Sequence, residues 1–354
     1  MSEQPAPNPA DLVHLNALGY YEVTHKPTPD ELRDYYARRY YQENRSSYQP
    51  TYSEAEREHI EGKLRLRHWV LAQLLNPAAA STETGAASAA PAAAPVSPAA
   101  TAAEAAPILT AQEPAAATAT EASEETGTSS AHARTFLDVG CGEGWALDYF
   151  QRQGWDVLGL DFSSFSLEQF HPGLRGRLRA GDLYDGLQEL MTEGRQFDVL
   201  WLDNVLEHVI DPAELLRRCR ALTRPGGVLL VDVPNDFSPL QQHLLATGHI
   251  DRPFWVALPD HLSYFGAAGL RNLATATGWH TAKTLGDQPI DLNLFNPVTN
   301  YVMDRTAGKA AHQSRLEQDN FLLRTAPLPA VAAYYEAMAG VGLGRSLVAF
   351  LQPE

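Results

Sequence analysis

The stretch Phe136-Leu137-Asp138-Val139-Gly140-Cys141-Gly142-Glu143-Gly144 decides how this chain is read. Thr135–Val139 is a short apolar run, and it breaks into three glycines at alternate positions. Glycine there lets the backbone turn sharply and lets a ligand come close. A helical run follows, Trp145–Gln153, closed by Gly154. Asp156–Leu160 (DVLGL) reads as a second strand ending in Asp161, and 176–180 as a third ending at Gly181-Asp182. Phe197–Leu202 (FDVLWL) is a fourth, nearly all apolar, as a strand buried on both faces should be. Asp211–Leu222 reads as a helix, Pro225-Gly226-Gly227 as a turn, and Val228–Val233 (VLLVDV) as a fifth strand. Strands alternating with helices predict a doubly wound, Rossmann-like α/β fold with a parallel sheet. Ligands in such folds bind at the carboxyl ends of the strands. Asp138, Gly140, Gly142, Asp161, Asp182 and Asp203 all fall there.

The turn is not a dinucleotide fingerprint. G-x-G-x-x-G would place its third glycine where Trp145 stands, and here that glycine comes one residue early. Pyrophosphate binding is therefore disfavoured, and a nicotinamide-dependent oxidoreductase with it. A ligand with a ribose but no pyrophosphate suits the pattern. Asp161 is placed to take both ribose hydroxyls, and Asp182 to accept from an exocyclic amine on adenine.

Five motifs in order, FLDVGCGEG, GLDFS, AGD, FDVLWLDNVLEHVIDP and RPGGVLLVDVPN, resemble the class I S-adenosylmethionine-dependent methyltransferases over Thr135 to about Leu285. The LEHV-DP and PGG-PN elements are similar to the ubiquinone-pathway O-methyltransferase branch. The segments at 19–42, 259–265 and 340–352 resemble methyltransferases of bacterial polysaccharide biosynthesis. The resemblance implies a seven-stranded sheet and S-adenosylmethionine as cofactor. It implies that Gly140, Cys141 and Gly142 pack on the methionine part and that Asp138 steadies the loop and the ammonium. Asp161 would hold the ribose, Phe162, Asp182 and Leu183 the adenine, and Asp203 and Asn204 would line the pocket by the sulfonium. Each has a plainer reading: a tight turn for the glycines, a helix or loop cap for Asp161 and Asp182, a packing residue for Cys141.

Transfer of an activated methyl needs mainly alignment. A hydroxyl acceptor also needs a base within hydrogen-bond reach. Two histidines are candidates, His261 in PDHL and His208 in LEHV, either of which could instead position a loop. The ubiquinone-type enzymes carry an E-x-x-E-H metal pattern. Here Asn204 replaces its first carboxylate ahead of Glu207-His208, so no catalytic metal is expected. A sugar, glycan precursor or related small molecule is the expected acceptor. The alternative is a non-catalytic or regulatory protein that keeps the cofactor fold. No D/N-P-P-Y/F element of an amino-methylating nucleic-acid enzyme follows the fourth strand.

Farther out, Pro77 to Ala133 is almost entirely Ala, Pro, Thr, Ser and Glu, without Lys, Arg or aromatic residues. Such a segment cannot offset the entropy of ordering itself, and it is read as a disordered Ala/Pro-rich linker. The expected organisation is an N-terminal helical cap (1–76), the linker (77–133) and the methyltransferase domain (134–354), with a helical insertion at about 287–342. In the cap, Thr28-Pro29-Asp30-Glu31 and Ser53-Glu54-Ala55-Glu56 read as capping boxes opening two helices. The first, rich in tyrosine (Tyr35, Tyr36, Tyr40, Tyr41), could wall the pocket. Thr281–Leu285 and Ser346–Leu351 are expected as strands six and seven. The aromatics between them, with His312 and Arg315, are expected over the acceptor, and Arg345 to pair with an acceptor phosphate or a carboxylate.

The net charge of −16 comes from 43 acidic and 27 basic residues. It opposes nucleic acid and anionic membranes as partners. Two cysteines make no disulfide framework. With no apolar run of spanning length and no basic, apolar leader read at the start, a cytoplasmic location is expected.

Overall fold

The computed structural model describes residues 12–35, 51–76 and 133–354. The reading of 77–133 as a disordered linker, and the roles given to Tyr36, Tyr40 and Tyr41, lie outside the described residues. The described residues on the two sides of 78–132 belong to one compact unit.

Its frame is a seven-stranded sheet in the order β5-β4-β3-β6-β7-β10-β9. The strands are β3 (Thr135–Val139), β4 (Asp156–Asp161), β5 (Leu178–Ala180), β6 (Phe197–Asp203), β7 (Thr223–Pro234), β9 (Trp279–Gly286) and β10 (Ser346–Pro353). The first five run parallel, and β10 lies antiparallel between β7 and β9. This is the class I methyltransferase arrangement with its reversed seventh strand. Pro225-Gly226-Gly227 does not stand before the fifth strand as a separate turn. Thr223 already pairs with Phe197, so β7 begins there and carries an irregularity through the glycines. The third strand is shorter than read, because Pro172–Arg177 forms a 3-10 turn.

Two short strands, β1 (Val13–Leu15) and β2 (Tyr21–Val23), pair with β8 (Ser263–Tyr264) in a small second sheet. Nothing in the sequence pattern singled these out, since three residues show no period.

The helices are α1 (Pro29–Tyr35), α2 (Glu54–Leu75), α3 (Trp145–Arg152), α4 (Phe165–Phe170), α5 (Leu183–Thr192), α6 (Pro212–Leu222), α7 (Pro239–Ala246), α8 (Ala267–Ala276), α9 (Gly308–Thr325) and α10 (Leu328–Gly340). Both capping boxes form. Ser53 Oγ accepts from Glu56 N while Glu56 returns to Ser53 N, and Thr28 and Glu31 do the same. The helix so opened, α2, buries Leu64, Leu66, Val70 and Leu71 against Phe136, Trp201, Leu230 and Phe350 on one face of the sheet. Each such side chain contributes about 1.5–3 kcal/mol. The opposite face carries α5, α6 and α8 over Leu137, Leu200, Leu229 and Val231. Between β9 and β10 the chain forms α9 and α10. Among the described residues, no helix is long and apolar enough to cross a membrane.

Candidate active site

A cavity of about 490 Å³ opens at the carboxyl ends of β3, β4, β5 and β6. Gly140, Asp161, Phe162, Asp182, Leu183, Asn204 and His208 line it. Asp138, Cys141, Gly142, Asp203 and His261 do not lie on its wall. Several wall residues were not foreseen: Tyr184, Asp185, Val205, Val209, Ile210 and Asp211, with Pro29, Leu32 and Arg33 of α1.

The glycine turn is built for close approach. Gly140 has φ +81°, and a Cβ there would stand 2.5 Å from Val205 Cγ2. Gly140 N and Cys141 N both donate to Leu160 O at 2.7 and 3.1 Å, which ties the turn to the end of β4. Cys141 points inward, its sulfur filling the space a Cβ on Gly159 would need, and burial pushes its thiol well up. It is a packing residue here. Asp138 is buried behind the turn. Burial, and then the charges of Asp203 and Asp161, raise its carboxyl well above the usual range.

Asp161 anchors the turn from the next strand. One carboxylate oxygen accepts from Gly142 N at 2.8 Å and the other from Ser163 N at 3.1 Å. A carboxylate oxygen accepts two hydrogen bonds, so this anchoring is compatible with two ribose hydroxyls as well. Asp182 is the N-cap of α5, accepting from Tyr184 N and Asp185 N through Oδ1. Phe162, Leu183 and Val205 give the cavity apolar walls, and its carboxylates (Asp161, Asp182, Asp185, Asp211) outnumber its one arginine. Volume, acidic lining and a glycine wall fit a cationic nucleoside such as S-adenosylmethionine. Asp161, Phe162, Asp182 and Leu183 would hold its adenosine, and Gly140 and Asn204 would face its sulfonium end.

Asp203 turns away from the cavity. Its Oδ2 accepts from Arg67 Nη1 at 2.7 Å, and Arg67 also donates to Asp232 at the neighbouring strand end. The guanidinium is buried and lies 5.4 Å from the Trp201 ring centre. Burial would raise the Asp203 carboxyl, but the Arg67 charge outweighs it and holds the group below the usual range. Asn204 takes a left-handed backbone (φ +54°) and donates through Nδ2 to Asp203 Oδ1 at 2.8 Å.

The two histidines adopt different settings. His208 Nδ1 lies 2.7 Å from the carbonyl of Asp260, so Nδ1 carries the proton and Nε2 the lone pair. Burial lowers the pKa of His208, which keeps the ring neutral. His261 sits behind it, ring centres 4.9 Å apart, and burial followed by the His208 and Arg345 charges pushes it down to about 3. Glu207 is buried with it, its carboxyl pushed well up by burial. Ligand atoms of Glu207, His208 and His261 lie within 4.8 Å of one another, the donor types of a divalent-ion site. The third member comes from a loop that sequence spacing could not place.

Among the described residues, Pro29, Leu32 and Arg33 are the wall residues of the N-terminal helix, and Tyr35 donates its hydroxyl to the Asp260 side chain. None of the insertion's aromatics lines this cavity. Tyr301 and Tyr335 donate to Asp291 and Asp319, while Phe295, Phe321 and Tyr334 are exposed. Arg345 pairs with the carboxylate of Asp236 at 3.2 Å.

Residues 96–283, more than half of the chain, match the family described as methyltransferase domain. A probable S-adenosylmethionine-dependent methyltransferase of Mycolicibacterium smegmatis is 33% identical over 156 residues, covering 43% of this chain and 54% of that protein. A ubiquinone biosynthesis O-methyltransferase of Caulobacter vibrioides is 36% identical over 104 residues, 28% of this chain and 41% of that one. Its counterpart in Escherichia coli is 30% identical over 172 residues, 46% of this chain and 67% of that one. The chain thus spans about half the length of the first two relatives. A solved S-adenosylmethionine-dependent methyltransferase of Archaeoglobus fulgidus aligns with 62% of this chain and 86% of its own, at 17% identity and a TM-score of 0.39.

Proposed function

The chain belongs to the class I S-adenosylmethionine-dependent methyltransferases, and from that premise we propose that it methylates a hydroxyl of a small molecule, a sugar, glycan precursor or related metabolite. One observation carries the reading: the cavity brings His208 to the same wall as Gly140, Asp161, Phe162, Asp182, Leu183 and Asn204. We read this neutral imidazole, whose Nε2 lies 3.8 Å from Glu207 Oε1, as the base for an acceptor hydroxyl. The bound cofactor supplies a methyl group activated on sulfonium sulfur. The protein's part is to align the acceptor with that methyl, exclude water and accept the hydroxyl proton at His208 Nε2. The Asp260 carbonyl then steadies the imidazolium through Nδ1–H. His261, deeper and held neutral, is read as a positioning residue for His208. Two buried free thiols, Cys141 and Cys219, accord with a cytoplasmic protein.

A second acceptor class, the hydroxyl of a ubiquinone-pathway intermediate, is favoured by the ubiquinone biosynthesis O-methyltransferase relatives. Calorimetry with S-adenosylhomocysteine against NAD tests the cofactor reading. Stabilisation by NAD alone would sink it. Transfer of labelled methyl to fractionated extract then identifies the acceptor. His208→Gln should abolish turnover while homocysteine-nucleoside binding persists, and an unchanged rate removes the base role.

A further inference from the structure

Base catalysis by His208 leaves three buried polar atoms beside it unused. Both carboxylate oxygens of Glu207 and Nδ1 of His261 have no hydrogen-bond partner among the described residues. Glu207 is 1% exposed. Asp203, Asp232 and Asp236 lie near enough to act on its charge, but Arg67 takes the first two and Arg345 the third. Among the described residues, no arginine or lysine pairs with Glu207 itself. A buried charge is normally paired or bound to a metal, and even a neutral carboxyl must place its O–H. One polar atom left bare costs about 1–3 kcal/mol, and here three stand together.

Their arrangement is that of a ligand set. One atom each of Glu207, His208 and His261 lie within 4.8 Å of one another, and His208 Nε2 is 3.8 Å from Glu207 Oε1. Tetrahedral bonds of about 2.1 Å put ligand atoms about 3.4 Å apart, a difference that side-chain rotation supplies. The gap suits an ion and not an organic ligand. The backbone is fixed on both sides: Leu262 N donates to Glu207 O at 2.8 Å, and His261 N to Ala257 O at 2.8 Å. His208 already makes the outer contact of a metal-binding imidazole, donating Nδ1–H to the backbone carbonyl of Asp260 at 2.7 Å. It also lines the cofactor cavity, which gives an ion a way in.

The donors choose the ion. Asn204 stands where the ubiquinone-type pattern has a carboxylate, and it is committed to Asp203 at 2.8 Å. His261, from the loop before β8, takes the vacated place in the set. One carboxylate and two imidazoles are too poor in oxygen for magnesium or calcium. They are the donors of zinc and other first-row divalent sites. An ion on Nε2 would hold the same lone pair that an acceptor hydroxyl needs, and one lone pair cannot serve both.

We propose that Glu207, His208 and His261 bind a divalent ion of the zinc class, and that the ion-loaded protein is a resting form of the enzyme. The resting role depends on the reading of His208 as base; the binding does not. The full chain, stripped with chelator, is titrated by calorimetry with Zn²⁺ and with Mg²⁺. One equivalent of Zn²⁺ should bind at least a hundredfold more tightly than Mg²⁺. Glu207→Gln and His261→Asn should each weaken Zn²⁺ at least tenfold while S-adenosylhomocysteine affinity stays within twofold. If either variant fails to fold, Co²⁺ on the wild type serves instead, and it should give the visible absorption of a four-coordinate site with nitrogen donors. Absence of Zn²⁺ binding, or binding that neither variant weakens, would overturn the site. Magnesium bound as tightly as zinc would overturn the ion class. Transfer of labelled methyl to fractionated extract should rise on stripping and fall when one equivalent of Zn²⁺ is restored; a fall on stripping would overturn the resting role. Failure of S-adenosylhomocysteine to bind would overturn the methyltransferase reading, and it would leave the zinc titration as it was.

Discussion

The two halves of the sheet's carboxyl edge are built on different principles. At β3 and β4, contact with a ligand is made by backbone: a glycine turn hangs from Leu160 O, and one carboxylate, Asp161, braces it. At β6, β7 and β9, charged side chains pack against one another, with Arg67 spanning Asp203 and Asp232. The first half closes within the contiguous stretch 135–163. The second needs α2 from before residue 77 and α9 from beyond 308. The first is therefore a local device of the sequence, and the second a tertiary one.

The contrast breaks most visibly at Arg67. Arg67→Met leaves the buried Asp232 and the part-exposed Asp203, at directly paired strand positions, without their cation, and removing one partner of a buried pair costs about 3–5 kcal/mol. Urea denaturation should show that loss. Adding Asp232→Asn should recover part of it, because one charge fewer is stranded. No loss in the single variant would mean that the ion pair is not what joins α2 to the sheet.

Gly140→Ala attacks the other half. The new methyl would need the space of Val205 Cγ2 at 2.5 Å, on a backbone at φ +81°. About 1–3 kcal/mol of strain is expected, read as a weakening of S-adenosylhomocysteine by about tenfold or more in calorimetry. An unchanged affinity would mean that the turn does not touch the nucleoside.

Legibility followed the same division. Strand ends, turn glycines and both capping boxes are local signals, and the residues they marked at Gly140, Asp161, Asp182 and Asn204 lie together on one wall. Asp203 shows where local reading stops. Its place at a strand end was readable, but its partner Arg67 is 136 residues away, so its side chain could not be aimed. His261 and His208 were both candidates in sequence, with His261 the first choice. Only the loop that brings the Asp260 carbonyl to His208 Nδ1 separates them. The helix 29–35 was readable from its cap, while the face it turns to the cavity depends on a pairing of β2 with β8 that no period announces.

A smaller effect, about 2 kcal/mol, is expected in the pH dependence of the charged half. The folded pKa of His59 is depressed to about 2, below the ordinary 6.5. Its contribution is therefore fully present above pH 6.5 and is lost as pH falls from there toward 2. Between pH 7 and 5 the wild type should lose about 2 kcal/mol relative to His59→Gln by this linkage. Parallel curves for the two proteins would mean that His59 is not buried neutral.

The smallest effect probes the join between the halves and the roof. Tyr35 on α1 donates to the Asp260 side chain, while the Asp260 carbonyl accepts from His208. One residue thus holds both the helix over the cofactor cavity and the imidazole in its wall. Tyr35→Phe removes a partly exposed hydrogen bond, worth about 1 kcal/mol. Global stability should hardly move, because α1 contributes little to either core. S-adenosylhomocysteine should leave several times faster in stopped-flow displacement, since the roof opens more often. If the off-rate stays unchanged while turnover falls, the tyrosine acts on His208 through Asp260 rather than on the roof. Both measurements on one variant therefore assign the contact to one half or to the join.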